Sequence, residues 1–157
     1  MRSRLVSVIG GSECTADERA LAQEVGRLLA QAGVGVVCGG RGGVMEAACR
    51  GAREAGGLTI GILPGEAADD GNPHLTVALP TGMGEARNVI VVKAGEAVIA
   101  IGGGLGTLSE IAYALRLGKL VVALGSWRAV SPEGGDLPVI QTTTAREAVA
   151  LALGIQG

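Results

Sequence analysis

Aromatic side chains are almost missing from this chain. They make up 1% of its 157 residues, with no Phe, one Tyr (Tyr113) and one Trp (Trp127). The core must therefore be built from Val, Leu, Ile and Ala, and an apolar share of 48% supplies them. A surface that stacks successive nucleobases needs several exposed rings, and this chain has none to spare. Basic runs are missing as well. Thirteen Lys and Arg against fifteen Asp and Glu leave a net charge of −2. Nothing is present to collect the phosphates of a long nucleic acid, so no nucleic-acid partner is expected. One small anion asks for far less: a few backbone N–H groups and a single arginine.

Cysteine is scarce and unpaired in pattern. Cys14, Cys38 and Cys49 are odd in number, form no C-x-x-C, and have no histidine near them in sequence. This argues against a disulfide framework or a zinc site and for buried or half-buried thiols in a reducing compartment. No apolar stretch approaches the ~20 residues that cross a bilayer. The opening "LVSVIGG" is too short for the apolar region of a signal peptide followed by a cleavage site. The expectation is a soluble, cytoplasmic protein with no membrane partner.

What the sequence does have is a rhythm of short apolar runs that end in glycine or another turn residue. They are "RLVSVIGG" (4–11), "VGVVCGG" (34–40), "LTIGILPG" (58–65), "AVIAIGGG" (97–104), "KLVVALG" (119–125) and "LPVIQTT" (137–143). They are rich in Val and Ile and barely alternate, which suits strands buried on both faces of a parallel sheet. Segments with helical spacing lie between them: 16–32, 44–55, 85–94, 107–117 and 145–153. In the first, Leu21, Val25, Leu28 and Leu29 form one stripe. Gly33 and Gly118 stand where a glycine just past a helix end belongs. Strand and helix alternating in this way imply right-handed βαβ units. The reading is α/β: a doubly wound, Rossmann-like three-layer domain over residues 1–157, with a mostly parallel sheet of about six or seven strands. Residues 64–84 are the one long loop-rich stretch, with a short strand at 75–79.

Three glycine-rich turns each follow a strand: Gly10, Gly11 and Ser12; Gly39, Gly40 and Gly43 within "GGRGG"; and Gly103, Gly104 and Gly106 within "GGGLG". In an open parallel sheet, ligands bind beyond the carboxyl ends of the strands. Glycine there lets the backbone turn and lets a ligand come close. The following helix N-terminus offers free N–H groups. Three such turns in one small domain point to anion binding. The familiar fingerprints fail, however. "GGGLGTLS" has no Lys for a Walker A loop, and Thr107 stands where G-x-G-x-x-G needs its last glycine. With no acidic residue evident for a dinucleotide ribose, a redox dehydrogenase is disfavoured.

Thr107 and Glu110 admit two readings. T-x-x-E at a helix start is a capping box, which contributes about 0.5–2 kcal/mol. A carboxylate at that place also sits well to touch a sugar. Arg87 opens another helix from the same edge. It is either a fork for phosphate or ribose or a surface arginine paired with Glu85. Arg41 reads as a solvated loop arginine, with phosphate contact the weaker alternative. His74 reads as a solvated loop residue and not a catalytic base. Cys14 follows the first turn without an expected role, and Met45 and Met83 read as core or pocket-lining residues.

The stretches "GGRGGVMEAA", "ARN" and "GGGLGTLSE" resemble the LOG ("lonely guy") family, long mislabelled lysine decarboxylase-like. Its motif is P-G-G-x-G-T-x-x-E, which Gly103, Gly104, Gly106, Thr107 and Glu110 match. LOG enzymes cleave the N-glycosidic bond of cytokinin nucleoside 5′-monophosphates. The resemblance implies that Gly104, Gly106 and Thr107 bind phosphate, and that Glu110 contacts the ribose and acts catalytically beside Arg87. It implies homodimers or larger homo-oligomers, and no metal or redox cofactor. Gly102 replaces the motif proline, Ser109 a common glutamate, and Asn88 the lysine that usually follows the arginine; Glu46 replaces a small residue. These departures resemble a shorter branch of the superfamily, typified by the molybdenum cofactor carrier protein of algae. More distantly, the chain resembles the Rossmann domain of DprA. Nothing resembles a pyridoxal phosphate site with a Schiff-base lysine.

Three functions follow as expectations. The first is binding of a phosphorylated small ligand, a nucleoside monophosphate or similar, with glycosidic cleavage left open. Glu110 would then stabilise the developing oxocarbenium ion, while Arg87, Asn88 and the glycine turns anchor the phosphate. The alternative is a non-catalytic carrier for the molybdenum cofactor or another phosphorylated heterocycle. An interaction module of the DprA kind is the weakest.

Overall fold

The structure is a computed structural model, and it describes residues 2–155. Its strands are β1 (Leu5–Gly10), β2 (Gly35–Cys38), β3 (Thr59–Leu63), β4 (Val77–Pro80), β5 (Ala97–Ile101), β6 (Leu120–Leu124) and β7 (Val139–Thr142). Its helices are α1 (Ala16–Gln31), α2 (Val44–Glu54), α3 (Asn88–Ala94), α4 (Leu105–Arg116) and α5 (Ala145–Leu153). The strands make one sheet in the order β4-β3-β2-β1-β5-β6-β7, and every neighbouring pair is parallel. Strand order reverses between β1 and β5, so a crevice opens there beyond the carboxyl ends of the strands. Among the described residues, no helix is long and apolar enough to cross a membrane.

The lack of alternation along the strands now has its cause. Successive residues feed two different cores. Val6 and Val8 of β1, with Ile99 and Ile101 of β5, pack under α1, α2 and α5. Ile9, Val98 and Ala100 pack on the opposite face under Val91 and Val92 of α3 and Ile111 of α4. Both faces are covered, so both sets of side chains are apolar. One polar side chain is buried in β1: the Ser7 hydroxyl donates to the carbonyl of Val91 at 2.6 Å and accepts the N–H of Gly95 at 3.1 Å. It ties the strand to the end of α3. Gly33 and Gly118 adopt φ of 74° and 73° just past α1 and α4, as the spacing implied.

Some boundaries differ from the sequence reading. The segment 85–94 divides into a 3-10 turn at Gly84–Arg87 and the short helix α3, a tightening common at helix N-termini. Helix α4 begins at Leu105 instead of 107. The strand expected at 75–79 lies at Val77–Pro80. Met83, read as core or pocket-lining, is 47% exposed on the loop before the 3-10 turn, because no helix covers that end of the sheet edge. The cysteines are free: Cys38 and Cys49 are buried with sulfurs 3.6 Å apart, and Cys14 is half-buried.

Helices α1 and α2 meet backbone to backbone. A Cβ on Gly26 would overlap the carbonyl oxygen of Ala48, and one on Gly51 would overlap that of Gln23. Neither glycine needs unusual dihedrals; each is required by the approach of the other helix. Gly51→Ala is therefore expected to cost about 1–3 kcal/mol, the usual penalty of overpacking. That lowers the melting temperature by about 2–12 °C for a chain of this size. Thermal denaturation monitored by circular dichroism checks it, and an unchanged midpoint would mean the helices lie further apart.

Candidate functional site

A cleft of about 470 Å³ opens at the β1/β5 switch point. The turn after β1 contributes Gly10, Gly11 and Ser12 to its lining. The turn after β2 contributes Gly39 and Arg41, with Met45 of α2 behind them. The entry to α3 brings Arg87 and Asn88, and the start of α4 brings Gly104, Gly106, Thr107 and Glu110. Three turns separated by up to about ninety residues in the chain thus converge on one cleft, because the sheet sets their strands side by side.

Gly40, Gly43 and Gly103 were grouped with the binding residues but do not line this cleft. They shape it from behind. Gly43 has φ of 62°, and a Cβ there would meet the carbonyl oxygens of Gly11 and Ser12, so the second turn rests directly on the first. Val44 N–H then donates to Gly11 O at 3.0 Å. Gly103, with φ of 100°, lies against the Thr107 side chain. The glycine loop is also held from outside. The Ser126 hydroxyl donates to Gly102 O at 2.7 Å, and the Trp127 indole N–H donates to Gly104 O at 3.0 Å.

Thr107 and Glu110 do not form a capping box. The N-cap of α4 is Gly104, which makes no side-chain cap bond. Thr107 is already inside the first turn and 3% exposed, and Glu110 lies further along the helix. The run of glycines puts the N-cap three residues before the threonine, at Gly104. The capping box lies elsewhere: Thr15 accepts the N–H of Glu18, and the Glu18 carboxylate accepts the N–H of Thr15. Thr144 caps α5 in the same T-x-x-E spacing by accepting the Glu147 N–H. Three identical spacings therefore give two caps and one pair at the cleft.

Glu110 is half-buried at the cleft wall, and burial pushes its carboxyl up to about 7 against the opposing pull of Arg87. Near neutral pH its protonated form is therefore well populated, and that form both donates and accepts. Arg87 is half-buried, and burial is also the main influence on it, lowering its proton affinity. Its Nη1 donates to the Asn88 side-chain oxygen, its Nη2 reaches Gly39 O at 3.5 Å, and its Nε is buried without a partner. Among the described residues it forms no ion pair, with Glu85 or any other carboxylate. The guanidinium crosses so close above Gly39 that a Cβ there would lie 2.9 Å from Nη2. Gly39 is thus glycine for the arginine, with Met45 sulfur on the other side.

The family model that matches residues 3–151 is that of the SLOG cluster4 family. The chain belongs to the SLOG cluster4 family. A relative from Archaeoglobus fulgidus, an uncharacterised protein, is 45% identical over 124 residues, covering 79% of this chain and 82% of that one. Among solved structures, this SLOG chain is similar to the molybdenum cofactor binding protein of Rippkaea orientalis, with 36% identity, 98% of each chain covered and a TM-score of 0.88. It is also similar to the molybdenum cofactor carrier protein of Chlamydomonas reinhardtii, at 32% identity, 98% of each chain and a TM-score of 0.84. DprA of Helicobacter pylori, at 19% identity, 96% of this chain, 80% of that one and a TM-score of 0.71, shares the fold. The LOG-like resemblance and its short carrier branch are thereby established, and the likeness to DprA extends to architecture alone.

Pro64 and Gly84 of the loop-rich stretch 64–84 line the cleft, as does Glu85 at the start of the segment 85–94, and Arg41 lines it too, in keeping with the weaker of its two readings. No spacing signal marks the first three. Arg41 within "GGRGG" carried the right chemistry, but only the folded turn shows which way it faces.

Proposed function

We propose that the cleft binds a phosphorylated heterocycle of the molybdenum cofactor kind and that the protein serves as its carrier. One observation carries the reading: the half-buried Arg87, with no carboxylate partner and an orphaned Nε, stands at a cleft walled by three glycine turns. A half-buried cation with no direct ion pair among the described residues is costly, and a phosphate supplies a counter-charge in contact with it, beyond the more distant field of Glu110. The glycine turns let backbone N–H groups come close to that phosphate. The full-length likeness to two molybdenum cofactor proteins supports the heterocycle class. On the LOG resemblance, we further propose a cytoplasmic homo-oligomer.

The sole tryptophan serves as a built-in reporter. Trp127 holds Gly104 O, so a phosphate seated on that turn changes the indole's surroundings. Anaerobic titration with the molybdenum cofactor is expected to give a saturable change in Trp127 fluorescence, competed by excess inorganic phosphate. Unchanged fluorescence, together with no thermal shift from the cofactor or from nucleoside monophosphates, overturns the proposal.

A second reading has its own support. A carboxyl held near 7 inside a cleft is suited to general acid work at neutral pH. If the ligand is a nucleoside monophosphate, Glu110 would protonate the leaving base or stabilise the sugar cation. Chromatography of nucleoside monophosphates incubated with near-equimolar protein tests this. Base release by the wild type, abolished in Glu110→Gln, would make the protein a phosphoribohydrolase; intact nucleotides would leave the carrier reading alone.

A further inference from the structure

We propose that the cleft has a second lobe beyond Arg41, which takes the nucleotide end of a pyrophosphate-linked dinucleotide ligand. This inference rests on the carrier reading and names the ligand class more closely. A second cavity of about 370 Å³ adjoins the first. Both are lined by Arg41 and Pro64, and the second adds Gly65 and Asp70. The first lobe alone is of ordinary size for one phosphorylated heterocycle, and the two together suit a ligand with a further half.

The junction is built rather than incidental. Asn72, buried between the two loops, donates its backbone N–H to Gly40 O at 2.9 Å and its side-chain amide to Arg41 O at 3.0 Å. This fixes the backbone of the "GGRGG" turn against the loop that carries Asp70. The Arg41 guanidinium is left without an ion pair among the described residues. It also repels Arg87, so two cations share the region between the lobes. A pyrophosphate spreads its charge over two phosphorus centres and can meet both.

Asp70 decides which end goes where. Its carboxylate lies over Gly65, close enough that a Cβ there would be 3.1 Å from Oδ2. Among the described residues it has no ion-pair partner. A carboxylate repels phosphate and accepts from hydroxyl and N–H groups. The second lobe therefore suits a ribose diol or the amide and amine edge of a base, with the phosphates at Arg41. Charge changes sign along the cleft in the order such a ligand needs: the cations Arg87 and Arg41 first, then the carboxylate Asp70.

The test compares the molybdenum cofactor as its pterin monophosphate with its nucleotide-extended, pyrophosphate-linked form, each titrated anaerobically into wild type and Asp70→Ala. Asp70 is exposed on a 3-10 turn, so the variant keeps the fold. The expected result is tighter binding of the extended form by the wild type, by about tenfold or more. Asp70→Ala removes that advantage and leaves the monophosphate affinity as it was. Equal or weaker binding of the extended form overturns the second lobe while the carrier reading stands. Binding of neither form overturns both. An advantage that survives in Asp70→Ala overturns the placement of the nucleotide in this lobe.

Discussion

Glu110→Gln is expected to make the folded protein more stable at neutral pH. The carboxyl is raised from an ordinary 4.5 to about 7 because burial disfavours its charge. The folded state therefore holds its proton more tightly than the unfolded chain does between about pH 4.5 and 7. Stability contributed by this group is fully present below the lower value and is lost as pH rises through the upper one. Each pKa unit corresponds to about 1.4 kcal/mol, so the loss above pH 7 is about 3 kcal/mol. Glutamine keeps the shape of the protonated acid and never ionises. Melting temperatures of wild type and variant should coincide near pH 4.5 and separate by roughly 6–12 °C at pH 8, the variant melting higher. Parallel curves across that range would show that Glu110 is solvated like a surface carboxylate.

Arg87→Ala is expected to weaken binding of the phosphorylated ligand by about 10–150-fold, the equivalent of one charge-assisted hydrogen bond. The apo protein should melt no lower than the wild type. Arg87 has no ion pair among the described residues to lose, and its bonds to Asn88 and, at 3.5 Å, to Gly39 O are offset by its unpaired Nε and by burial that works against its charge. Arg87→Lys should restore little of the affinity, because an ammonium cannot present the planar fork. Isothermal titration calorimetry beside thermal denaturation separates the two effects. Affinity within twofold of wild type would mean that the phosphate sits elsewhere in the cleft. Loss of melting temperature with affinity would mean that Arg87 is a packing residue.

Much of this architecture was legible beforehand. Runs such as "AVIAI" and "LVVAL" became strands buried on both faces, and Gly33 and Gly118 end their helices with positive φ. The glycine turns, Arg87 and Glu110 do meet at one edge. The T-x-x-E spacing was not decisive. Thr15 and Thr144 cap their helices, whereas Thr107 does not, because glycine at 104 starts the helix one turn sooner. The contribution of Pro64 and Gly84 had no signature, since a loop's lining residues obey no periodicity.

Sequence alone determined what depends on neighbours along the chain: which segments are strands or helices, and where glycine permits a turn. Tertiary structure decided what depends on neighbours in space. It set Gly26 and Gly51 against opposing backbones, passed Arg87 over Gly39, and joined two cavities at Arg41. It also moved Glu110 from a cap to the cleft wall, where burial raises its proton affinity. A pKa and a steric limit both arise from the atoms that fold around a residue, and those lie far from it in the chain.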